Sequence, residues 1–249
     1  MSDFNRGYAG SVQAGQADMS VDVGLRSFML GVYNKVALGL LLSAGLAWLT
    51  ADFAPVQQLL YNVTPDGRLV GFTALGMIVR FLPLAVLIGA MFMRNPSPRA
   101  AGIVYWSVVS GIGAGLGVWL LAYTGTSVAS TFMITAAAFG ALSLFGYTTK
   151  RDLTGFGSFL MVGLVGLVLA SLVGMFWHPA GFSMIISLLG VLIFAGLIAW
   201  DTQRLKMTYY QLGGDGASMA VATNYGALNL YLNFINLFQF LMSLTGSRR

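Results

Sequence analysis

Seven long apolar segments constrain the fold of this chain more than any other feature of its sequence. Each is close to the roughly 20 residues that a helix needs to cross about 30 Å of hydrocarbon. The segments lie near residues 30–50, 70–93, 101–122, 127–147, 157–177, 182–200 and 221–244. Apolar residues run continuously along them and do not alternate with polar ones, which argues against a membrane-spanning β-barrel. The sequence therefore predicts an all-α integral membrane protein, with seven transmembrane helices in one bundle.

The scarcity of charge supports the same fold class. Of the 249 residues, 57% are hydrophobic and 8% are charged, whereas about 25% of an average soluble domain is charged. So few charges cannot cover a water-facing surface, which excludes soluble globular proteins and disordered chains. The chain has no cysteine and one histidine, which excludes thiolate sites and multi-histidine metal clusters within it.

Cations in the loops predict the orientation of the bundle. They follow the even-numbered segments, as Arg94 and Arg99, as Lys150 and Arg151, and as Arg204 and Lys206. Loops rich in Lys and Arg stay in the cytoplasm, so we expect residues 1–27 to form a flexible cytoplasmic tail and residues 28–249 to form the transmembrane domain. The net charge of +5 is scattered over the loops, and nucleic-acid binding is therefore not predicted. Arg248 and Arg249 fit this orientation poorly, which leaves either a full seventh crossing or a re-entrant last segment.

Two charged residues lie where apolar segments end. Asp201 closes the sixth segment and Arg94 closes the second. Charged groups at bilayer depth are costly and mark functional sites by default. Both segments run in the same direction, so the two side chains reach the same membrane edge, and an ion pair between them is possible. The alternative is two unrelated charges, each extending to water. Arg80, inside the second segment, either extends to the outer face or pairs within the bundle.

The last segment carries a stripe of carboxamides. Asn229, Asn233 and Asn236 fall at positions i, i+4 and i+7, which places them on one helix face about 60° wide. Because amides are unfavourable in lipid, this face is expected to point into the bundle. There the three residues either join helices by hydrogen bonds or line a hydrated cavity.

Three segments together resemble the Bax inhibitor family, whose members are also called transmembrane Bax inhibitor motif proteins, and its bacterial branch in particular. They are residues 145–153 (FGYTTKRDL), 200–203 (WDTQ) and 230–238 (LYLNFINLF). The resemblance runs from about residue 25 to the end of the chain. It implies six helices around a central seventh, a location in the cell inner (plasma) membrane, and activity as a pH-sensitive calcium leak.

The resemblance also implies a site. In similar proteins an aspartate of the sixth span and one of the seventh share a proton and form a latch with an arginine at the end of the second span. Asp201 and Arg94 match the first aspartate and the arginine, whereas the second aspartate falls on Asn233. An amide cannot ionise, so the coupled titration of two carboxylates is lost and the pH gate is expected to be weakened. Calcium prefers several carboxylates among six to eight oxygens, which makes Asp201 a weak metal ligand.

Two functions follow as expectations. The first is a cation leak, with calcium or protons as the transported ions, no cofactor, and a latch between Arg94 and Asp201. The second is a non-conducting regulator of the stress response or of an ATP-dependent membrane protease, which similar bacterial proteins are associated with. An intramembrane hydrolase is not expected, because no serine is placed beside a base at bilayer depth.

Overall fold

The computed structural model describes residues 22–64, 69–174, 176 and 181–248. Most of the predicted tail, and the single histidine, His178, lie outside these residues. The first helix begins at Val23, inside the range that the sequence assigned to the tail.

Seven helices of the described chain are long and apolar enough to cross a membrane, which confirms the predicted fold class. The elements are α1 (Val23–Asp52), α2 (Ala54–Leu60), β1 (Tyr61–Val63), β2 (Leu69–Phe72), α3 (Ala74–Met91), α4 (Pro98–Ala122), α5 (Gly125–Thr148), α6 (Thr154–Gly174), α7 (Phe182–Leu212) and α8 (Gly216–Thr245). We call the end where α1, α4, α6 and α8 begin the basic end, and the opposite one, where β1 pairs with β2, the hairpin end.

The last helix, α8, is the centre of the bundle. It packs against α1, α4, α5 and α7, while α3 packs chiefly on α4, and α6 on α7. Residues on every side of α8 are buried, among them Tyr231, Phe234 and Met242. A helix that is apolar and buried all round is typical of a core position, and the expected central seventh helix is confirmed.

Both ends of α8 are fixed by the chain around them. At the basic end, Gly213 and Gly214 adopt positive φ angles of 58° and 88°, a left-handed backbone that favours glycine and allows the turn from α7. At the hairpin end, the amide of Thr124 donates to the carbonyl of Ser247 at 3.1 Å, and Arg248 pairs with Tyr123 as an isolated β-bridge. The final helix therefore crosses the bundle completely, and the re-entrant alternative is excluded.

The structure differs from the sequence prediction mainly at helix ends. Residues between the first two spans form α2 and the antiparallel hairpin of β1 and β2, which hydropathy does not detect. Helix α7 continues twelve residues past the predicted end at residue 200. These last turns are polar, so hydropathy does not detect them. Arg80 is exposed near the hairpin end with its guanidinium 4.8 Å from the ring centre of Phe72. It therefore takes the outward position, the first of its two alternatives.

Candidate functional site

Asp201 is a buried carboxylate on the inner face of α7. This face also carries Leu197, Ile198, Thr202 and Leu205, whose spacing of three and four residues is that of one helix side. Only 8% of the surface of Asp201 is exposed. Because a buried charge without partners is very costly, the contacts of this carboxylate determine how the site is held.

Asn233 of α8 is the principal partner of Asp201. Its side-chain Nδ2 donates a hydrogen bond of 2.7 Å to Oδ2 of the carboxylate, and both groups are buried. The second partner is Arg204, whose Nη1 lies 3.7 Å from Oδ1 of Asp201. The Arg204 side chain is 53% exposed and its guanidinium lies over the ring of Trp200. Solvent screens such an ion pair, so the buried amide is the stronger contact.

The carboxamide stripe of α8 lies against α7, whereas the sequence predicted only that it points into the bundle. Gly226, on this stripe, packs against Leu205, and Phe240 packs against Gly190. Asn233 is buried, whereas Asn229 and Asn236 are half-buried. Asn233 joins two helices by a hydrogen bond, which is the first of the two alternatives for the stripe, and Asn229 lines a cavity.

The cavity lies between α7 and α8 beside the carboxylate. It has a volume of about 100 Å³, enough for a few water molecules. Its walls are formed by Asp201, Arg204, Leu205, Thr208, Ala222, Tyr225, Gly226 and Asn229. The Nδ2 of Asn236 instead donates to the carbonyl of Leu232 at 2.8 Å. The structure thus brings together Asp201, Asn229 and Asn233 and leaves Asn236 outside the group.

The predicted ion pair between Arg94 and Asp201 is not formed. Within the part of the chain that the structure describes, the ion pair of Asp201 is made with Arg204, and Arg94 is exposed beyond the end of α3. The physical reason is the helix arrangement: α3 packs on α4, whereas α7 packs on α5, α6 and α8. Arg94 and Asp201 lie towards the same end of the bundle but are not neighbours. The prediction of this contact is wrong for this conformation.

Two of the three segments that carry the family resemblance, residues 145–153 and 200–203, contact each other where α5 and the turn after it meet α7. A Cβ atom at Gly146 of α5 would overlap the carbonyl of Ala199, so the two helices touch through their backbones. The buried side chain of Gln203 accepts from the amide of Leu153 at 2.8 Å and donates to the carbonyl of Arg151 at 2.7 Å. Gln203 therefore fixes the turn between α5 and α6 to the helix that carries Asp201.

Comparison with known proteins identifies the family of the chain. The family model described as "Inhibitor of apoptosis-promoting Bax1" matches residues 25–249. The chain belongs to the Bax inhibitor family. A protein of Caulobacter vibrioides is 63% identical over the full length of both chains. A Rickettsia prowazekii protein, RP147, is 40% identical over 97% of this chain and 98% of its own. The inner membrane protein YbhL of Escherichia coli is 39% identical over 91% of this chain and 94% of its own.

Lys35 of α1 is a polar residue whose position sequence reasoning missed. Lys35 is half-buried, and its Nζ donates to Oδ1 of Asn224 on α8. The hydroxyl of Tyr105 on α4 donates to the carbonyl of Lys35 at 2.5 Å. A signal existed, because Asn224 lies nine residues before Asn233 on the same helix, but its partner depends on how α1 packs.

The site is poor in metal ligands. No group of three or more His, Cys, Asp or Glu side chains that could hold a metal ion occurs among the described residues. At the site itself the polar groups that line the cavity beside Asp201 are the guanidinium of Arg204, the amide of Asn229 and the hydroxyls of Thr208 and Tyr225. Because calcium is retained by several carboxylates, Asp201 alone is a weak calcium ligand.

Proposed function

We propose that this Bax inhibitor family member is a passive cation pathway of the cell inner membrane, with calcium as the transported ion and its N-terminus in the cytoplasm. The observation that carries the proposal is the buried carboxylate of Asp201, which borders a cavity between two transmembrane helices. A charge in this position is costly to maintain, and such residues mark ion pathways in membrane proteins.

Polar groups continue along the seam between α7 and α8. Beyond Asp201, towards the hairpin end, the hydroxyl of Ser187 on α7 donates to that of Ser243 on α8 at 3.1 Å. These groups lie at intervals along both helices, so a cation moving between them would meet oxygen ligands on each side. The seam is therefore the route that we propose.

Apolar side chains close this route in the present conformation. Phe194, Leu197 and Leu237 are buried between the Asp201 site and the serine pair, and the rings of Phe194 and Phe240 stack with centroids 5.8 Å apart. Hydrophobic constrictions of this kind block ions because water does not fill them. Conduction thus requires α7 and α8 to separate. The hydrogen bond between Asp201 and Asn233 holds them together and takes the role of the latch that was expected between Asp201 and Arg94.

The amide at position 233 is proposed to weaken the response to pH. Two adjacent carboxylates would titrate as a coupled pair, whereas Asn233 has no proton to share in that way. It donates its hydrogen bond to Asp201 at any pH at which the carboxylate is ionised. We therefore expect a flux whose pH dependence is shallow compared with that of a protein with two aspartates.

Calcium flux into proteoliposomes tests the proposal. The protein is reconstituted with an internal calcium dye, and the initial rate is measured from pH 5 to pH 8 for wild type, Asn233→Asp and Asn236→Asp. We expect Asn233→Asp to shift the pH midpoint and steepen the response, while Asn236→Asp, a carboxylate on the same stripe away from Asp201, leaves it unchanged. Equal midpoints for wild type and Asn233→Asp would contradict the proposed gate.

The non-conducting regulator is the second candidate. It is favoured by the good pairing of the polar groups, since Asn233 and Ser187 each bond to the neighbouring helix as interhelical glue would. The same proteoliposomes distinguish the two functions. A regulator gives no flux above that of protein-free vesicles at any pH, in wild type and in Asn233→Asp alike.

A further inference from the structure

A groove between α1 and α5 opens at the basic end of the bundle, away from the Asp201 site. Its volume is about 660 Å³, within the range of about 300–1,000 Å³ that is usual for small-molecule sites. Asp22 lies at its mouth, and its far end is reached at Tyr33 and Phe139. The rings of these two residues meet edge to face with centroids 6.4 Å apart, which closes the groove between the helices.

The dimensions of the groove match one lipid chain. From Asp22 to Tyr33 the helix rises by eleven residues, or about 16 Å. One leaflet contributes about half of the roughly 30 Å of hydrocarbon in a bilayer. The walls along this length are largely apolar, with Met29 and Leu30 on α1 and Leu144 on α5. The groove can thus hold a single acyl chain from headgroup level to the middle of the membrane.

Arg26 places a guanidinium at the mouth of the groove. The carboxylate of Asp22, which also lines the mouth, is held by other partners, because it accepts from the amide of Leu25 at 2.9 Å and from the hydroxyl of Tyr209 at 3.1 Å. Arg26 is exposed and makes no ion pair within the described residues. An exposed guanidinium at headgroup depth is complementary to a lipid phosphate, which it can bind through two parallel hydrogen bonds.

Ser143 supplies a second, independent feature. It is 5% exposed and lines the groove, and its hydroxyl is the buried side-chain polar atom without a hydrogen-bond partner in the described chain. Buried hydroxyls are normally paired, and a helical serine usually bonds to its own backbone one turn earlier. Ser143 lies about 7 Å below the end of α5 at Thr148. The ester carbonyls of a phospholipid lie deeper in the membrane than its phosphate, at about this depth.

We propose that this groove is a binding site for an anionic phospholipid, which places one acyl chain between α1 and α5, its phosphate at Arg26 and an ester carbonyl at the hydroxyl of Ser143. The site is separate from the proposed cation pathway, and it holds whether or not the protein conducts. The lipid comes from the leaflet at the basic end, where cations are concentrated.

Native mass spectrometry of the full-length protein tests the site. Protein in mild detergent is mixed with equal amounts of phosphatidylglycerol and phosphatidylcholine, and the bound lipids are counted. Wild type should retain one phosphatidylglycerol in preference to phosphatidylcholine. Arg26→Gln should reduce this preference about fivefold, which corresponds to the roughly 1 kcal/mol that one basic residue contributes towards anionic lipid. Arg99→Gln, an exposed arginine at the start of α4, is the matched control and should behave as wild type.

A second variant fills the groove instead of removing charge. Nothing lies within 4 Å of a Cβ atom at Gly140 or at Gly45, so leucine fits the backbone at both positions. Gly140→Leu should lose the retained lipid, while Gly45→Leu, outside the groove, should keep it. Retention of phosphatidylglycerol in Gly140→Leu at the wild-type level, an unchanged preference in Arg26→Gln, or equal binding of both lipids by wild type would each overturn the proposal.

Discussion

Of the polar contacts between α7 and α8, the hydrogen bond between Asn233 and Asp201 is expected to contribute most to the free energy of unfolding. Hydrogen bonds between neutral groups of membrane helices contribute on average about 0.6 kcal/mol, and at most about 1.7 kcal/mol. Bonds to charged groups contribute about 1.5–3 kcal/mol. The acceptor here is a carboxylate with 11% of its side chain exposed, so the higher range applies. We expect Asn233→Leu to lower the free energy of unfolding by about 2 kcal/mol.

The same helix provides a matched control for this substitution. Asn236 lies one turn further along the stripe, is half-buried, and bonds to the carbonyl of Leu232 in its own helix. Asn236→Leu removes an amide of the same kind without stranding a charge, and we expect a loss below about 0.6 kcal/mol. Unfolding by SDS in mixed micelles, followed by circular dichroism, gives both free energies under the same conditions.

A double-mutant cycle makes the test specific to the pair. In an Asp201→Asn background the acceptor is neutral, and Asn233→Leu should then cost less than about 1 kcal/mol, which gives a coupling energy of at least about 1 kcal/mol. Equal losses for Asn233→Leu and Asn236→Leu, or an unchanged cost in the Asp201→Asn background, would refute the assignment of Asn233 as the partner that holds the buried carboxylate.

Two further predictions concern other parts of the bundle. Gly146→Ala should destabilise by about 3 kcal/mol or prevent folding, because its Cβ meets the backbone of Ala199; Gly140→Ala on the same helix has open space and should match wild type in thermal unfolding. Asp215 caps α8 by accepting from the amide of Ser218 at 2.9 Å. Hydrogen bonds from the side chain and then the amide of Ser218 lower the pKa of Asp215 below its ordinary value of 3.8. Its contribution to stability is therefore present above pH 3.8 and is lost as the pH falls through the lower folded value. Melting curves of wild type and Asp215→Asn between pH 2 and pH 6 should show the steeper acid loss in wild type, and parallel curves would contradict this.

Hydropathy was sufficient to predict the seven membrane-spanning helices, because the lipid requires every span to be a long apolar helix. Each of the seven predicted segments overlaps an observed helix, since about 20 apolar residues have no other stable arrangement in a bilayer. The polar continuation of α7 from Asp201 to Leu212 escaped this criterion, because it is stabilised by packing and not by lipid. The same holds for the hairpin of β1 and β2, which rests on the ends of α2 and α3.

The site was predictable in part. The spacing of Asn229, Asn233 and Asn236 predicted a stripe that faces the bundle, and the structure places it against Asp201. The partner cation was misassigned to Arg94, although Arg204 stands three residues after Asp201 on the same helix, where side chains are neighbours. Depth in the membrane can be read from a sequence, whereas lateral order around the bundle depends on how helices of similar composition pack.

The attachments of α8 determine what a tilt of this helix would do. Its far end is tied to the α4–α5 corner through Ser247 and Thr124, while its start follows the Gly213–Gly214 turn, so a tilt that leaves the hairpin end in place would pivot near Thr245. Asn233 stands twelve residues from that pivot, and a tilt of about 5° moves it by about 1.6 Å, enough to stretch its bond beyond hydrogen-bonding range. A rotation too small to disturb the hairpin end would thus release the carboxylate of Asp201.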